Sequence, residues 1–239
     1  GSVAGKVSLG FTDGFAWQGD LQLHDLNPGV LDARFPGQLN GSLYTRGRTQ
    51  DDVLTLEALW DIAGRLRQEP LALQGSLSKP DETWVLSGLQ LRQGDNRLSG
   101  DAQWGPVVAG AFDIALNKLH SLVPDVHGQV RGRVGLSGSA AAPAMAIAVT
   151  ADNVRQGDLT LGNARLDASG TAANHQLRLD VSEGLVALST RLRGALTETA
   201  GTGERVWQAQ LSDSRIGAGN LTWQLQQRAT LRYQLEAGV

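Results

Sequence analysis

The chain has 239 residues, 21 basic and 24 acidic, for a formal net charge of −3. That balance argues against nucleic-acid binding, which usually needs a basic face, and the absence of cysteine excludes disulfides and thiolate metal sites. Hydrophobic residues make up 41% but aromatics only 5%, and 30 glycines interrupt them, the composition of many short strands joined by turns.

In chain order, Gly1-Ser2 reads as a cloning remnant, and residues 3–239 as one elongated segment. Apolar residues alternate with polar ones from the start: Val7, Leu9 and Phe11, then Phe15, Trp17, Leu21 and Leu23, until Asn27-Pro28-Gly29 supplies turn chemistry. Leu39 and Leu43 continue the pattern. Residues 53–62 suit either a helix or a strand, and strand is the expectation. Leu71, Leu73 and Leu77 follow Pro70, which a central ladder tolerates poorly. Leu89 and Leu91 lead into Gly94-Asp95-Asn96, an expected hairpin turn before Leu98, Ala102 and Trp104.

Leu116, Leu119 and Leu122 are spaced by three, which predicts a short helix near 116–123, before Pro124. Alternation resumes with Val126, Val130, Val134 and Leu136, and the stretch 137–143 is the expected joint between two similar halves. Met145, Ile147 and Val149 form the next strand, and Leu159 to Ala168 reads as a hairpin around Gly162-Asn163. Leu177, Leu179 and Val181, then Val186, Leu188 and Leu192, precede a Thr/Gly loop at 197–203. Trp207 and Leu211, Trp223 and Leu225, then Leu231, Tyr233 and Leu235 close the chain. The spacing predicts about 15 to 18 strands, a sheet on the order of 75 Å long if they stack in one direction.

Each strand has one apolar face that must leave water. A sandwich, a closed barrel, or a sheet curled around something apolar all satisfy that demand. A transmembrane barrel should show aromatic girdles, which this composition lacks. No site chemistry emerges. His24, His120, His127 and His175 have no metal-ligand spacing, and no nucleophile elbow exists. Asp51-Asp52 and Asp81-Glu82 are adjacent, so on a strand they would face opposite ways. Gly201-Thr202-Gly203 does not join a strand to a helix as a phosphate loop does. The expectation is a non-enzyme without metal or cofactor.

Several phrases resemble the TamB family of the AsmA-like superfamily. Asn174-His175-Gln176-Leu177, Leu192-Arg193-Gly194-Ala195-Leu196, Val206-Trp207-Gln208-Ala209-Gln210-Leu211 and Leu221-Thr222-Trp223-Gln224-Leu225 follow that family's succession of His, Gly, Trp and Trp-x-Leu. Ala209 stands where the family often has Gly, whereas Phe15-Ala16-Trp17-Gln18-Gly19 keeps it. Leu26-Asn27-Pro28-Gly29, Phe35-Pro36-Gly37-Gln38-Leu39 and the stretch 119–128 are similar too.

The resemblance implies a β-taco, a long sheet curled into a U that is apolar inside and polar outside. It implies a fragment of a larger periplasmic protein anchored in the inner membrane of a Gram-negative bacterium. The implied role is carrying phospholipid to the outer membrane and supporting its biogenesis, with a TamA-like outer-membrane barrel protein as partner. No catalytic residue is carried over. The lining the resemblance implies falls on Val7, Leu9, Phe11, Trp17, Leu21 and Leu23 at the start, and on Leu98, Val130, Val134, Leu136, Ile147 and Val149 in the middle. It continues with Leu177, Leu179, Leu188 and Leu192, then Trp207, Leu211, Trp223, Leu225, Leu231 and Leu235. A scaffold that holds outer-membrane protein strands for insertion by the barrel partner is the alternative from a different functional class.

Overall fold

The computed structural model describes residues 1–12, 14–184, 186–198 and 205–235. They form one open, curled antiparallel sheet of 16 strands, 78% strand in content. The strands are β1 (Ser2–Gly10), β2 (Phe15–Leu26), β3 (Gly37–Gln50), β4 (Val53–Leu66), β5 (Glu69–Lys79), β6 (Trp84–Gln93), β7 (Asn96–Trp104) and β8 (Val108–Leu116). After α1 (Leu119–Leu122) come β9 (Val126–Ser139), β10 (Ala142–Gln156), β11 (Leu159–Thr171), β12 (Asn174–Ser182), β13 (Val186–Glu198), β14 (Arg205–Ala218), β15 (Leu221–Gln224) and β16 (Ala229–Leu235). Each strand pairs with its sequence neighbour, except that β15 and β16 share the far side of β14.

Turn chemistry sets this meander. Asp51 and Asp52 (φ 50° and 62°), and Arg67 and Gln68 (φ 51° and 69°), are left-handed pairs whose twist suits a two-residue hairpin. Other left-handed residues sit inside strands. Asp25, Asn153 and Asp213 mark register shifts in the β2–β3, β9–β10 and β13–β14 pairings. Each bulge bends its strand and deepens the local twist, which curls the ribbon.

The ambiguous stretch 53–62 is strand, within β4; of the leucines spaced by three, Leu119 and Leu122 make the single turn α1, whereas Leu116 ends β8. Pro70 is the second residue of β5, near the strand start where proline costs the ladder least. The hairpin expected around Gly162-Asn163 is a correction. β11 runs straight through those residues, and the turn lies at Gly157-Asp158. Gly162 (φ 72°) opposes Val154 at a register shift, so its left-handed backbone serves a bulge instead of reversing the chain. Residues 137–143 lie at the turn end of the β9–β10 hairpin, and Gly201, Thr202 and Gly203 lie outside the described residues.

Register keeps the two faces separate along the ribbon. Gly5, Leu21, Leu43, Trp60 and Gly75 are successive partners across β1 to β5. Beyond a bulge the row resumes as Leu89, Gly100, Phe112, Val134 and Ile147, then Ala168, Leu177, Leu192, Leu211 and Ala229. Every member is apolar or glycine. The neighbouring row of the opposite face runs Ser99, Asp113, Arg133, Ala148, Asp167, Arg178, Arg191, Ser212.

No second layer packs on the described sheet. Val108, Leu119 and Ala209 are its buried hydrophobic residues. An ordinary domain of this length closes two layers around a core; here the leucines shield one another only in part.

Candidate functional site: an uncovered apolar face and a charged hollow

Placed on the sheet, the residues expected to line a groove fall almost entirely on one face. Leu21, Val134, Ile147, Leu177, Leu192 and Leu211 belong to the central row. Leu23, Leu98, Val149 and Leu179 lie one row to one side, with Val130, Leu188 and Trp223 one row further. Val7, Leu136 and Leu231 lie on the other side, followed by Leu9, Trp17 and Trp207. Leu235 ends β16 opposite Arg205, and Phe11 follows β1 in the turn, 75% exposed. Leu225 leaves the rows, because it opens the segment 225–228 that separates β15 from β16.

Aromatic side chains on this face lie over glycines of the next strand. Trp17 and Gly47, Trp60 and Gly75, Phe112 and Gly100, and His175 and Gly194 are each direct cross-strand partners. A Cβ added at any of those glycines would collide with the partner ring. The ring occupies the space a side chain would take, the rescue by which aromatics make strand glycines tolerable. The indole donors of Trp17 and Trp207 are used internally, to Thr45 Oγ1 at 3.2 Å and to His175 Nε2 at 3.0 Å. Trp60 Nε1 is buried without a protein partner.

A polar cluster interrupts the apolar face at one rim. Gln93 and Asn96 occupy apolar-row positions at the β6–β7 turn and are fully buried beneath α1. Asn96 Nδ2 donates to the Lys118 carbonyl at 3.0 Å and to Ser121 Oγ at 2.7 Å, and its Oδ1 accepts from the Lys118 N–H at 2.8 Å. Gln93 Nε2 donates to the carbonyls of Leu66 and Ser121 at 3.1 and 3.2 Å. Lys118 also pairs with Asp95 at 2.9 Å and Glu69 at 3.7 Å, and these partners, Asp95 first, raise its pKa. The sequence reading missed this cluster. Its signal was a Gln and an Asn standing at apolar positions beside a turn.

The opposite face carries ion pairs along its rows: Asp113–Arg133, Arg165–Asp167 and Arg178–Asp180, each 2.7 Å, and Arg191–Asp213, 3.0 Å. Exposed pairs of this kind contribute about 0–1 kcal/mol each. The Asp180 carboxyl is held below its ordinary pKa, first by the Ser189 hydroxyl at 2.6 Å and then by Arg178.

A hollow of about 1020 Å³ crosses β8 to β14. It follows the course of Val134, Ile147, Leu177 and Leu192, but residues on either side of each wall it, such as Arg133 with Gly135 and Arg191 with Arg193. On β14 it is bordered by Gln210 and Ser212, not by Leu211 between them. It therefore opens on the charged face. Segment 225–228 borders it too, bringing Leu225 there.

Among the described residues, no group of three or more His, Asp or Glu could hold a metal ion. No helix of the described residues is long and apolar enough to cross a membrane.

A family model described as "TamB, N-terminal domain" matches residues 1–155 and 144–238. The chain is 26% identical over 156 residues to the translocation and assembly module subunit TamB of Haemophilus influenzae. That stretch covers 64% of this chain and 12% of that protein, so the chain spans a small part of its curated relative. No solved structure matches the chain.

Proposed function

The chain belongs to the TamB family, and from that premise we propose that it is a segment of a periplasmic lipid bridge, shielding phospholipid acyl chains between inner and outer membrane. The observation that carries this reading is the uncovered apolar face. Rows of Leu, Val, Ala and Gly run across the ribbon without a second layer, and its described core holds only three buried hydrophobic residues. Such a face needs an apolar cover. Each acyl CH₂ buried there gains about 0.8 kcal/mol, so the leucine rows replace the bilayer for the tails.

Headgroups stay in water at the open side. Among the described residues, the polar groups of this face mostly bond one another, as in the Gln93–Asn96 cluster closed by α1, the Trp207–His175 pair and the Thr190–Ser214 pair, so tails slide without a deep trap. Aromatic rings lying over glycines, and the internally bonded indole donors of Trp17 and Trp207, support the same reading. The role is non-catalytic, within a longer protein anchored in the inner membrane and working with a TamA-like outer-membrane barrel.

The test places Val134→Glu and Leu179→Asp in the full-length protein, with folding checked by protease resistance. Both changes are expected to stop phospholipid transfer to the outer membrane, and phospholipid extracted from detergent-free protein should fall with it. Normal transfer in folded protein carrying both charges would overturn the bridge.

The same uncovered apolar face supports a second reading. A scaffold holding outer-membrane protein strands for assembly would cover that face with the apolar side of its client. Selective binding of extended barrel segments, without co-purified lipid, would favour it.

A further inference from the structure

The charged face carries a feature that lipid shielding does not use. The hollow across β8 to β14 lies on the side away from the leucine rows, and small residues, Ala111, Gly135, Ala146 and Ala148, are among those that border it. Crossing seven strands, it is about 29 Å long at the strand spacing of a sheet.

Its charge runs against that of the chain. Five arginines and three aspartates border it, although the whole chain is net negative. Asp113 is neutralised by Arg133 and Asp213 by Arg191 within the border, and Asp167 is neutralised by Arg165 outside it. Arg193 and Arg228, which also border the hollow, form no ion pair with a described residue.

The hollow also ends where β14 lacks a neighbouring strand. β16 pairs with β14 as far as Leu211, and β15 takes over at Arg215, so Ser212 and Asp213 have no strand partner on that side. The glutamine side chains of Gln176, Gln210, Gln226 and Gln227 in the border offer both donors and acceptors, while Arg193 and Arg228 require acceptors. A phosphate presents mainly acceptor oxygens and is too compact to span the hollow. An extended peptide supplies N–H and C=O along its length, and acidic side chains add the charge the arginines lack.

We propose that this hollow is a docking trough for an extended acidic segment of a partner protein, on the opposite face from the lipid path. About nine residues of extended chain span it. The segment lies across the strands, with carboxylates against Arg193 and Arg228.

The test is fluorescence anisotropy of the 239-residue chain with a labelled nine-residue peptide of alternating Glu and Thr. A Lys/Thr peptide is run in parallel. The acidic peptide is expected to bind saturably and more weakly as salt rises, and the basic one not to bind. R193Q/R228Q, both exposed, should retain the circular dichroism of the sheet and bind about tenfold more weakly. Leu31→Ser, on a rim loop outside both faces, should leave binding unchanged. Three results would each overturn the trough: no saturable binding, unaltered affinity in folded R193Q/R228Q, or displacement by an equal concentration of inorganic phosphate. The lipid-transfer test reads the other face, so either proposal can fail alone.

Discussion

Trp207 donates its indole N–H to Nε2 of His175, 3.0 Å away across the intervening strand β13. The rings are nearly parallel, 10° apart with centroids 6.3 Å distant, and His175 lies over Gly194. Nδ1 of His175 is 3.2 Å from the carbonyls of Thr171 and Ala172, so the geometry assigns the proton to Nδ1 and the lone pair to Nε2. One hydrogen bond thereby ties β12 to β14 and consumes a donor that would otherwise point into an apolar face.

Trp207→Phe keeps the aromatic surface but strands the Nε2 acceptor. The expected loss is about 1 kcal/mol of unfolding free energy in denaturant titration. His175→Phe together with Trp207→Phe should lose less than the sum of the single changes, because the pair acts as one unit.

Glycines under rings should separate from glycines elsewhere. Gly47→Ala would drive a methyl into Trp17, at an expected cost of about 1–3 kcal/mol. At Gly135 an added Cβ meets nothing nearer than 3.8 Å, so Gly135→Ala should fall within about 0.5 kcal/mol of the parent. Equal melting temperatures for the two variants would remove the ring-over-glycine account.

Asn96→Ala leaves the Lys118 N–H without its partner and removes one donor each from the Lys118 carbonyl and Ser121 Oγ. The expected destabilisation is about 1–3 kcal/mol, concentrated locally. Hydrogen exchange should accelerate in residues 117–125 while amides of β2 and β3 keep their protection.

Asp180 carries the pH prediction. Its folded pKa lies below the ordinary carboxylate value, so ionised Asp180 stabilises the sheet at neutral pH. That contribution is present above the unfolded pKa of about 3.9 and is lost as pH falls through the folded value. Asp180→Asn should therefore lower the melting temperature at pH 7 and converge with the parent in acid. A difference unchanged down to pH 2 would contradict the assignment.

Much of the fold was legible because alternation is a local property. Val7, Leu9 and Trp17, or Leu177 and Leu179, declare their face within a few residues, and Gly94-Asp95 declares its turn. Gly162-Asn163 was misread for the opposite reason. A left-handed glycine serves a turn or a bulge equally well, and the register of Val154 on the next strand decides between them. Gln93 and Asn96 carried no readable purpose until α1 was seen to close over them. Arg193 and Arg228 lie 35 positions apart, and only the path of β14 and its broken edge brings them to one hollow.

By itself the sequence determined that each strand has a wet face and an apolar one, and that neighbouring strands are joined as hairpins, since period-two patterning and turn residues act over a few peptide units. Tertiary structure decided the rest: that the apolar face stays uncovered, that bulges curl the ribbon, and that the charged face encloses a hollow. Those outcomes depend on which distant strands meet and in what register, and side chains write that into the chain only collectively.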